Sequence, residues 1–455
     1  MHPRAAPALF TLAFLCIALP ALPQSMGLTI DQAYRLTRTA SEAIRLRELS
    51  LEKTRLAAGE AAGKALPRVD LQASASYLVH PPQGYQITRG MLATSPIIIP
   101  PSDVTIGAQL HNYFSVAASL SQPLFAWGKI RNAIDLAGLQ VDAAGTDLAA
   151  QQRDIDREVH RAFFGATLAR DSKAVLHRIR DAAAAIAADR QKSLDQGTIN
   201  REAVLEAQSN LASIEAKLVE SAQTLATALE SLGMLTGLDP SGIELATGFR
   251  TALPALDEQA VRSRAEASAV EMAAARTRVS QARKKLAIEM GGAMLLPDVS
   301  LGVSFGVTGQ EDIPYAAWNW TNSTWDWDLM ISIGVKTSVF DGLAAMKRIG
   351  QAEKDVEAAA TGLSQQQKLE RLGVRKAIDA AVKADADVME KQAKADYAEE
   401  RLRNAKASFD NGLASREDVH GADILAGSAK LDLLLSLYTR EEALADIARI
   451  TGERI

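Results

Sequence analysis

Two stretches far apart in this chain carry the same punctuation. Residues 193–204 read SLDQGTINREAV and residues 408–419 read SFDNGLASREDV. Their glycines, Gly197 and Gly412, are related by an offset of 215, and each lies between long stretches that contain no proline. A glycine between two helical patterns marks a helix end, because Gly alone takes a left-handed cap without steric cost. Each stretch therefore reads as the tip of a helical hairpin, and the chain as two copies of one unit. The offset of 215 recurs in Phe125 and Phe340 and in Gly237 and Gly452, and Pro67 is matched by Pro297.

The N-terminus reads as a signal peptide over residues 1–25. His2 and Arg4 precede an apolar run, Leu9–Leu19, and small residues come after it. The run is short for an anchor, and Pro20 and Pro23 stand just beyond it. The single cysteine, Cys16, lies inside this run in a context that does not favour lipidation. The remaining chain then has no cysteine for a disulfide, a metal or a nucleophile. At 47% hydrophobic and 23% charged residues the composition is that of a folded chain, and a net charge of −5 implies no nucleic-acid partner. No later run has the ~18 apolar residues of a membrane helix. If the chain crosses a membrane, it does so with strands.

Taken in order, the chain alternates two periodicities. Thr29 with Gln32 has a capping-box spacing, and a helix is expected from there to about Lys64. Val69, Leu71, Ala73, Ala75, Tyr77 and Val79 then alternate with Arg68, Asp70, Gln72, Ser74 and Ser76, a period of two with one apolar and one polar face. A loop over Pro81–Gly107 leads to a return strand with Phe114, Val116, Ala118 and Leu120 on one face. Lys129–Asp195 is helical and would be ~100 Å long. Its partner carries a heptad seam, Val204, Leu211, Leu218, Leu225 and Leu232 joined by Ala207, Ile214, Ala228 and Leu235, with Ser221 as the one polar member. The unit then repeats: a helix from about Glu258 to Met290, a strand with Val299, Leu301, Val303, Phe305 and Val307 on one face, a loop with Trp318, Trp320, Trp325 and Trp327, a return strand with Leu329, Ile331, Ile333 and Val335, and a second long hairpin. The expected divisions are the signal peptide 1–25, a first repeat 26–237, a linker or equatorial element 238–256, and a second repeat 257–455. The β-hairpins are placed at 68–122 and 298–339 and the tips at 197 and 412.

Strands with an uncharged apolar face and a small, hydrophilic opposite face suit a wet membrane barrel. Four strands cannot close one, and open edges cannot face lipid, so several copies must complete the wall. The fold class expected is a mixed α and β membrane protein, with long helical hairpins joined to four transmembrane strands per chain and an internal two-fold repeat. The six histidines, His2, His80, His111, His160, His177 and His420, have no metal-ligand spacing and read as scattered surface residues. No phosphate loop, triad signature or acid/base carboxylate pair stands out, so neither an enzyme nor a cofactor is expected.

The chain resembles the TolC family of outer-membrane efflux proteins. The resemblance is carried by residues 28–33 (LTIDQA), Leu66-Pro67 and Leu296-Pro297, residues 121–125 (SQPLF) with Gly128, residues 339–342 (VFDG), and the two tips, and it covers essentially the whole chain after the leader. It implies a homotrimer in the outer-membrane lipid, with a twelve-stranded β-barrel and a periplasmic α-barrel. It also implies an exit duct of a tripartite efflux or type I secretion system, working with a periplasmic adaptor (membrane fusion) protein and an inner-membrane pump of RND, ABC or MFS type. By the same resemblance Gly197, Thr198, Gly412, Leu413 and Ser415 are adaptor-docking candidates, and Asp418 stands where the family narrows its entrance. The recurring Arg201-Glu202 and Arg416-Glu417 are expected to hold a closed entrance by ion pairs. The chain departs from the family pattern in three places. Ala40-Ser41-Glu42 and Glu266-Ala267-Ser268 replace a proline-bearing pair in the first helix of each repeat, Gly421 replaces a second acidic position, and the sequence stops at Ile455, short of a C-terminal part of the equatorial girdle. Two rival readings are a periplasmic adaptor and a structural coiled-coil envelope protein. The duplicated hairpins oppose the first and the two strand pairs oppose both.

Overall fold

Local sequence signals place most helix ends. In the computed structural model, residues 26–80, 85–87, 104–106, 111–254, 257–293, 296–311 and 324–453 are described, so the signal-peptide reading of 1–25 lies outside them, as do Trp318, Trp320 and most of the loop 81–107. Strand β1 (Met26–Leu28) leads into helix α1 (Ile30–Ala40). Thr29 caps that helix: its hydroxyl accepts from Gln32 N (3.3 Å) and its own N–H donates to Gln32 Oε1 (2.8 Å). The expected single helix to Lys64 is instead two. Ser41 is extended (φ −68°, ψ 115°), and α2 (Glu42–Gly63) starts after it. The second copy breaks in the same way at Ala269 (φ −60°, ψ 101°), between α5 (Glu258–Ser268) and α6 (Val270–Ala293).

The remaining elements come in chain order. After α2 lie β2 (Arg68–Tyr77), β3 (Tyr85–Ile87), β4 (Val104–Ile106) and β5 (Asn112–Phe125), then helices α3 (Lys129–Asp195) and α4 (Arg201–Thr236). The segment expected to be a linker holds a 3-10 turn (Pro240–Gly242) and β6 (Ile243–Leu245), which pairs in parallel with β1. Beyond α5 and α6 lie β7 (Asp298–Glu311), β8 (Thr324–Lys336), α7 (Ala344–Asp410) and α8 (Arg416–Thr451). Within the expected loop 81–107, β3 and β4 form a small antiparallel pair. Among the described residues, every left-handed backbone falls at one of four positions that recur at the offset of 215: Trp127 and Gly342, Gly128 and Leu343, Gly197 and Gly412, Gly237 and Gly452. At the first two positions each copy places its one glycine on a different member of the pair.

The chain divides into two units. The first comprises the chain up to Arg45, Gln151–Ala269 and the chain from Glu370. Its α4 turns the predicted seam inward: Val204, Ala207 and Leu232 are buried, and Leu211, Ile214, Leu218, Leu225, Ala228 and Leu235 are half-buried. Burying each such leucine fully contributes about 1.5–3 kcal/mol. The polar seam member, Ser221, donates its hydroxyl to the Ala169 carbonyl (3.3 Å). Helix α8 lies so close to α3 that a Cβ at Gly427 would meet Ile179 Cδ1 at 2.8 Å, with Cγ1 closer still. His160 is not a surface residue. It is 5% exposed, its Nδ1 bonded to the Tyr34 hydroxyl (2.7 Å), its ring tilted against Phe164, and its Nε2 3.3 Å from the buried Glu441 carboxylate. A buried imidazole with two polar neighbours is a packed core group, and its spacing to other histidines could not reveal that.

The second unit, 46–150 with 270–369, carries one antiparallel sheet in the order β2-β5-β7-β8. Its register keeps the two faces separate across all four strands. Val69, Leu120, Val303 and Ile331 form one row, and Leu71, Ala118, Phe305 and Leu329 another. Asp70, Ser119, Ser304 and Met330 lie in a row of the opposite face, as do Ser74, Ser115, Thr308 and Asp326. Trp325 and Trp327, expected in a loop, belong to β8 and continue its apolar face, and the Trp325 ring covers Gly309. Much of the apolar face is open: Leu71 is 76% exposed and Ile331 and Ile333 are 68% exposed.

Candidate functional site

Both tips are built by the same backbone bonds. Thr198 N donates to Ser193 O (2.9 Å) and Gly197 N to Leu194 O (2.8 Å), while Leu413 N donates to Ser408 O (2.8 Å) and Gly412 N to Phe409 O (2.9 Å). This pair of bonds is a Schellman cap, and it needs a left-handed residue at the position of Gly197 (φ 70°) and Gly412 (φ 72°). Beyond the turn, Asn200 caps α4 through Ala203 N (3.0 Å). Ser415 caps α8 with a full capping box: its hydroxyl accepts from Asp418 N (3.1 Å), and its N–H donates to Asp418 Oδ2 (2.8 Å). The Ser415 hydroxyl also donates to the Asp418 carboxylate (2.6 Å). The Ser415 hydroxyl, and then its backbone N–H, hold the Asp418 carboxyl below the usual carboxylate range.

The ten residues singled out in the sequence thus take unequal places. Gly197, Thr198 and Gly412 make the turns, Ser415 and Asp418 are a cap pair, and Leu413 is 82% exposed at the apex of the second tip. Of the four residues expected to form ion pairs, only Glu417 does so among the described residues, and its partner is Arg190 (2.7 Å). Arg201, Glu202 and Arg416 make no ion pair there.

Arg190 is the residue that sequence reasoning missed. From α3 it reaches Glu206 on α4 (2.9 Å), the Ala203 carbonyl (3.0 Å) and Glu417 on α8, so one guanidinium joins three helices beside the tips. Glu417 first, and then Glu206, keep it more firmly protonated than an ordinary arginine. Its signal was present: Arg190 and Glu206 stand symmetrically on either side of Thr198. Arg190 also ends a ladder of pairs between α3 and α8, with Arg178–Asp423 (2.5 Å), Arg161–Glu442 (2.7 Å), Arg157–Asp446 and Asp154–Arg449 (2.5 Å). The numbers rise along α3 as they fall along α8, which sets the two helices antiparallel. Each pair is partly exposed and contributes only ~0–1 kcal/mol, but together they fix register.

No helix among the described residues is long and apolar enough to cross a membrane. The sheet is the element with an open apolar face. A family model described as outer membrane efflux protein matches residues 33–238 and 261–453. No curated protein matches the sequence. Among solved structures, the outer membrane protein VceC of Vibrio cholerae is similar at 16% identity and TM-score 0.70, over 93% of this chain and 96% of that one. The CmeC outer membrane channel of Campylobacter jejuni is similar at 16% identity and TM-score 0.72, over 93% and 85%. The MtrE outer membrane channel of Neisseria gonorrhoeae is similar at 16% identity and TM-score 0.71, over 96% and 93%. These identities establish a shared fold, and the family match, which spans both halves of the sequence, establishes kinship: the chain belongs to the outer membrane efflux protein family.

Proposed function

We propose that the chain acts as a homotrimer, the passive exit duct of a tripartite efflux or type I secretion system. Three copies, each supplying four strands, close a barrel of twelve in the outer membrane. The long hairpins form a periplasmic α-barrel that meets an adaptor and an inner-membrane pump, which supplies the energy. The observation that carries this reading is the sheet itself: a largely exposed apolar face in register over four strands, with β2 and β8 as its outer strands. An open edge in lipid leaves backbone groups unsatisfied at several kcal/mol each, so the edges call for further copies. The chain is read as two repeats, 26–237 and 257–455, joined by 238–256; the four left-handed positions recurring at 215 support that division.

The tips are the periplasmic end of this duct. Gly197, Thr198, Gly412, Leu413 and Ser415 form its docking surface for the adaptor, with Leu413 as the exposed apolar contact. Asp418, Arg416, Glu417, Arg201 and Glu202 line or brace the entrance. A ring of three Asp418 carboxylates would favour cations, and the cap bonds from Ser415 keep that carboxylate ionised to lower pH. The second tip governs the entrance, since the counterpart of Asp418 in the first is Ala203. The test is electrophoresis of an unboiled detergent extract together with conductance in planar bilayers. A heat-sensitive trimer band and discrete channels are expected, with cation block weakened by Asp418→Ala. A water-soluble monomer with no conductance would refute the duct, and unchanged cation block would refute the acidic ring.

A further inference from the structure

Two rungs of the α3–α8 ladder also wall a cavity. It measures ≈ 270 Å³ and is lined by Arg157 of α3, by Lys376 and Ala380 of α7, and by Asp446, Arg449 and Ile450 of α8. Three cations from three helices thus share one cavity with a single acid in its walls. An aspartate holds each guanidinium: Asp446 meets Arg157 at Nε, and Asp154, outside the lining, accepts from Arg449 Nε (2.5 Å). Lys376 is exposed and makes no ion pair among the described residues. Counting both aspartates, one positive charge is left over in each chain.

The other copy of the repeat does without most of these charges. At the offset of 215 the counterparts of Arg157, Asp446 and Arg449 are Leu372, Ser231 and Met234, and Lys376 alone is matched by a cation, Arg161. Leu372 is 50% exposed and Met234 76% exposed. The same positions therefore accept uncharged side chains in one copy and carry charge only where they converge on the cavity.

The cavity's place on α8 decides what it faces. Arg440 and Glu441 turn toward the linker, where Arg440 donates to the Arg250 carbonyl and Glu441 accepts from Arg250 N (3.4 Å). At about 100° per residue, Asp446 and Arg449 project from the other side of the helix. In the duct, the linker and the β1–β6 pair must lie outside the tube to leave it open, so the cavity opens on the bore.

We propose that this cavity is a site on the bore wall for one oxyanion group, of the phosphate type, borne by anionic solutes in transit. The bore placement rests on the duct reading above; the oxyanion site rests on the cavity and its charges. The two guanidiniums, already oriented by their aspartates, offer planar N–H donors, and Lys376 supplies a mobile point charge. The volume is below the ~300–1,000 Å³ of sites that enclose a drug-sized ligand, so the site grips one group and leaves the rest of the solute in the bore.

The test is calorimetric titration of the full chain, assembled in detergent, with inorganic phosphate and with phenyl phosphate. Both should bind saturably, at one per chain. Lys376→Gln should weaken binding at least about ten-fold, the loss of one charge-assisted hydrogen bond, and Lys376→Arg should retain it. Ala380→Glu, which adds a carboxylate to the lining and leaves all three cations in place, should abolish it. In planar bilayers Lys376→Gln should raise the preference for K⁺ over Cl⁻ at least about two-fold, since a positive charge leaves the bore in every copy. No saturable binding to a conducting wild-type channel, or binding indifferent to Lys376→Gln and Ala380→Glu, would overturn the site. Binding of inorganic phosphate without phenyl phosphate would overturn its role toward solute-borne groups. An unchanged ion preference in a conducting channel would overturn the bore placement. A chain that binds phosphate but never conducts would refute the duct, and the bore placement with it, while upholding the oxyanion site.

Discussion

Replacing Gly427 with alanine tests how closely α8 is seated on α3. The added methyl would lie 2.8 Å from Ile179 Cδ1 and closer still to its Cγ1, where ordinary contact is 3.4–4 Å. Ile179 is 4% exposed and has no solvent to swing into. Overpacking of this kind costs about 1–3 kcal/mol, and alanine in place of glycine inside a helix returns about 1 kcal/mol. The net loss expected for Gly427→Ala is therefore about 0–2 kcal/mol. The double-mutant cycle removes the helix-propensity contribution. Ile179→Ala alone should cost about 2–5 kcal/mol by leaving a cavity. In the double variant the new methyl enters that cavity, so the two changes should couple favourably by about 1–3 kcal/mol. The assay is denaturant unfolding in detergent followed by helicity, with hydrogen exchange of α8 peptides as the local readout. Strict additivity of the two substitutions would refute the close α3–α8 packing and, with it, the register implied by the arginine ladder.

Two further outcomes concern the second tip. Gly412 has open space around it and φ 72°, so Gly412→Ala should cost about 1–2 kcal/mol through the backbone alone, with Gly412→Asn milder; exchange protection of residues 408–413 reports it, and no difference between the variants would contradict the left-handed cap. Asp418 is held below its ordinary pKa, so its capping contribution is present above the unfolded value and is lost as pH falls through the folded one. Protection at residues 415–419 should therefore drop in acid in the wild type and be pH-independent there in Asp418→Asn.

What the sequence disclosed and what it hid have physical explanations. The two strand faces were legible because a period of two with no charge on one side has few other solutions. The α4 seam was legible for the same reason at a period of seven, and the tips because left-handed glycines recur at one spacing. The breaks at Ser41 and Ala269 were not, since neither carries a proline or glycine to mark it. The β1–β6 pair joins strands of only three residues, too short for any periodicity to register. Trp325 and Trp327 read as loop residues because they cluster with Trp318 and Trp320, and that cluster masks the alternation W-D-W-D-L that continues β8. His160 was misplaced because its burial beside Tyr34 and Glu441 depends on partners distant in the sequence, on α1 and α8. Among the site residues, the glycines and caps came from local rules, whereas the pairing of Glu417 with Arg190 depends on how two hairpins meet.

A membrane-spanning wall requires the open apolar face of the sheet to meet lipid. Spin labels placed singly along β8 in reconstituted vesicles measure this through their collisions with oxygen and with a water-soluble nickel chelate. Labels at Leu329, Ile331 and Ile333 should be accessible to oxygen and shielded from nickel, while labels at Asp328, Met330 and Ser332 should show the reverse. A profile without that period of two, or with the two sets exchanged, would contradict the reading of this chain as a membrane-spanning channel wall.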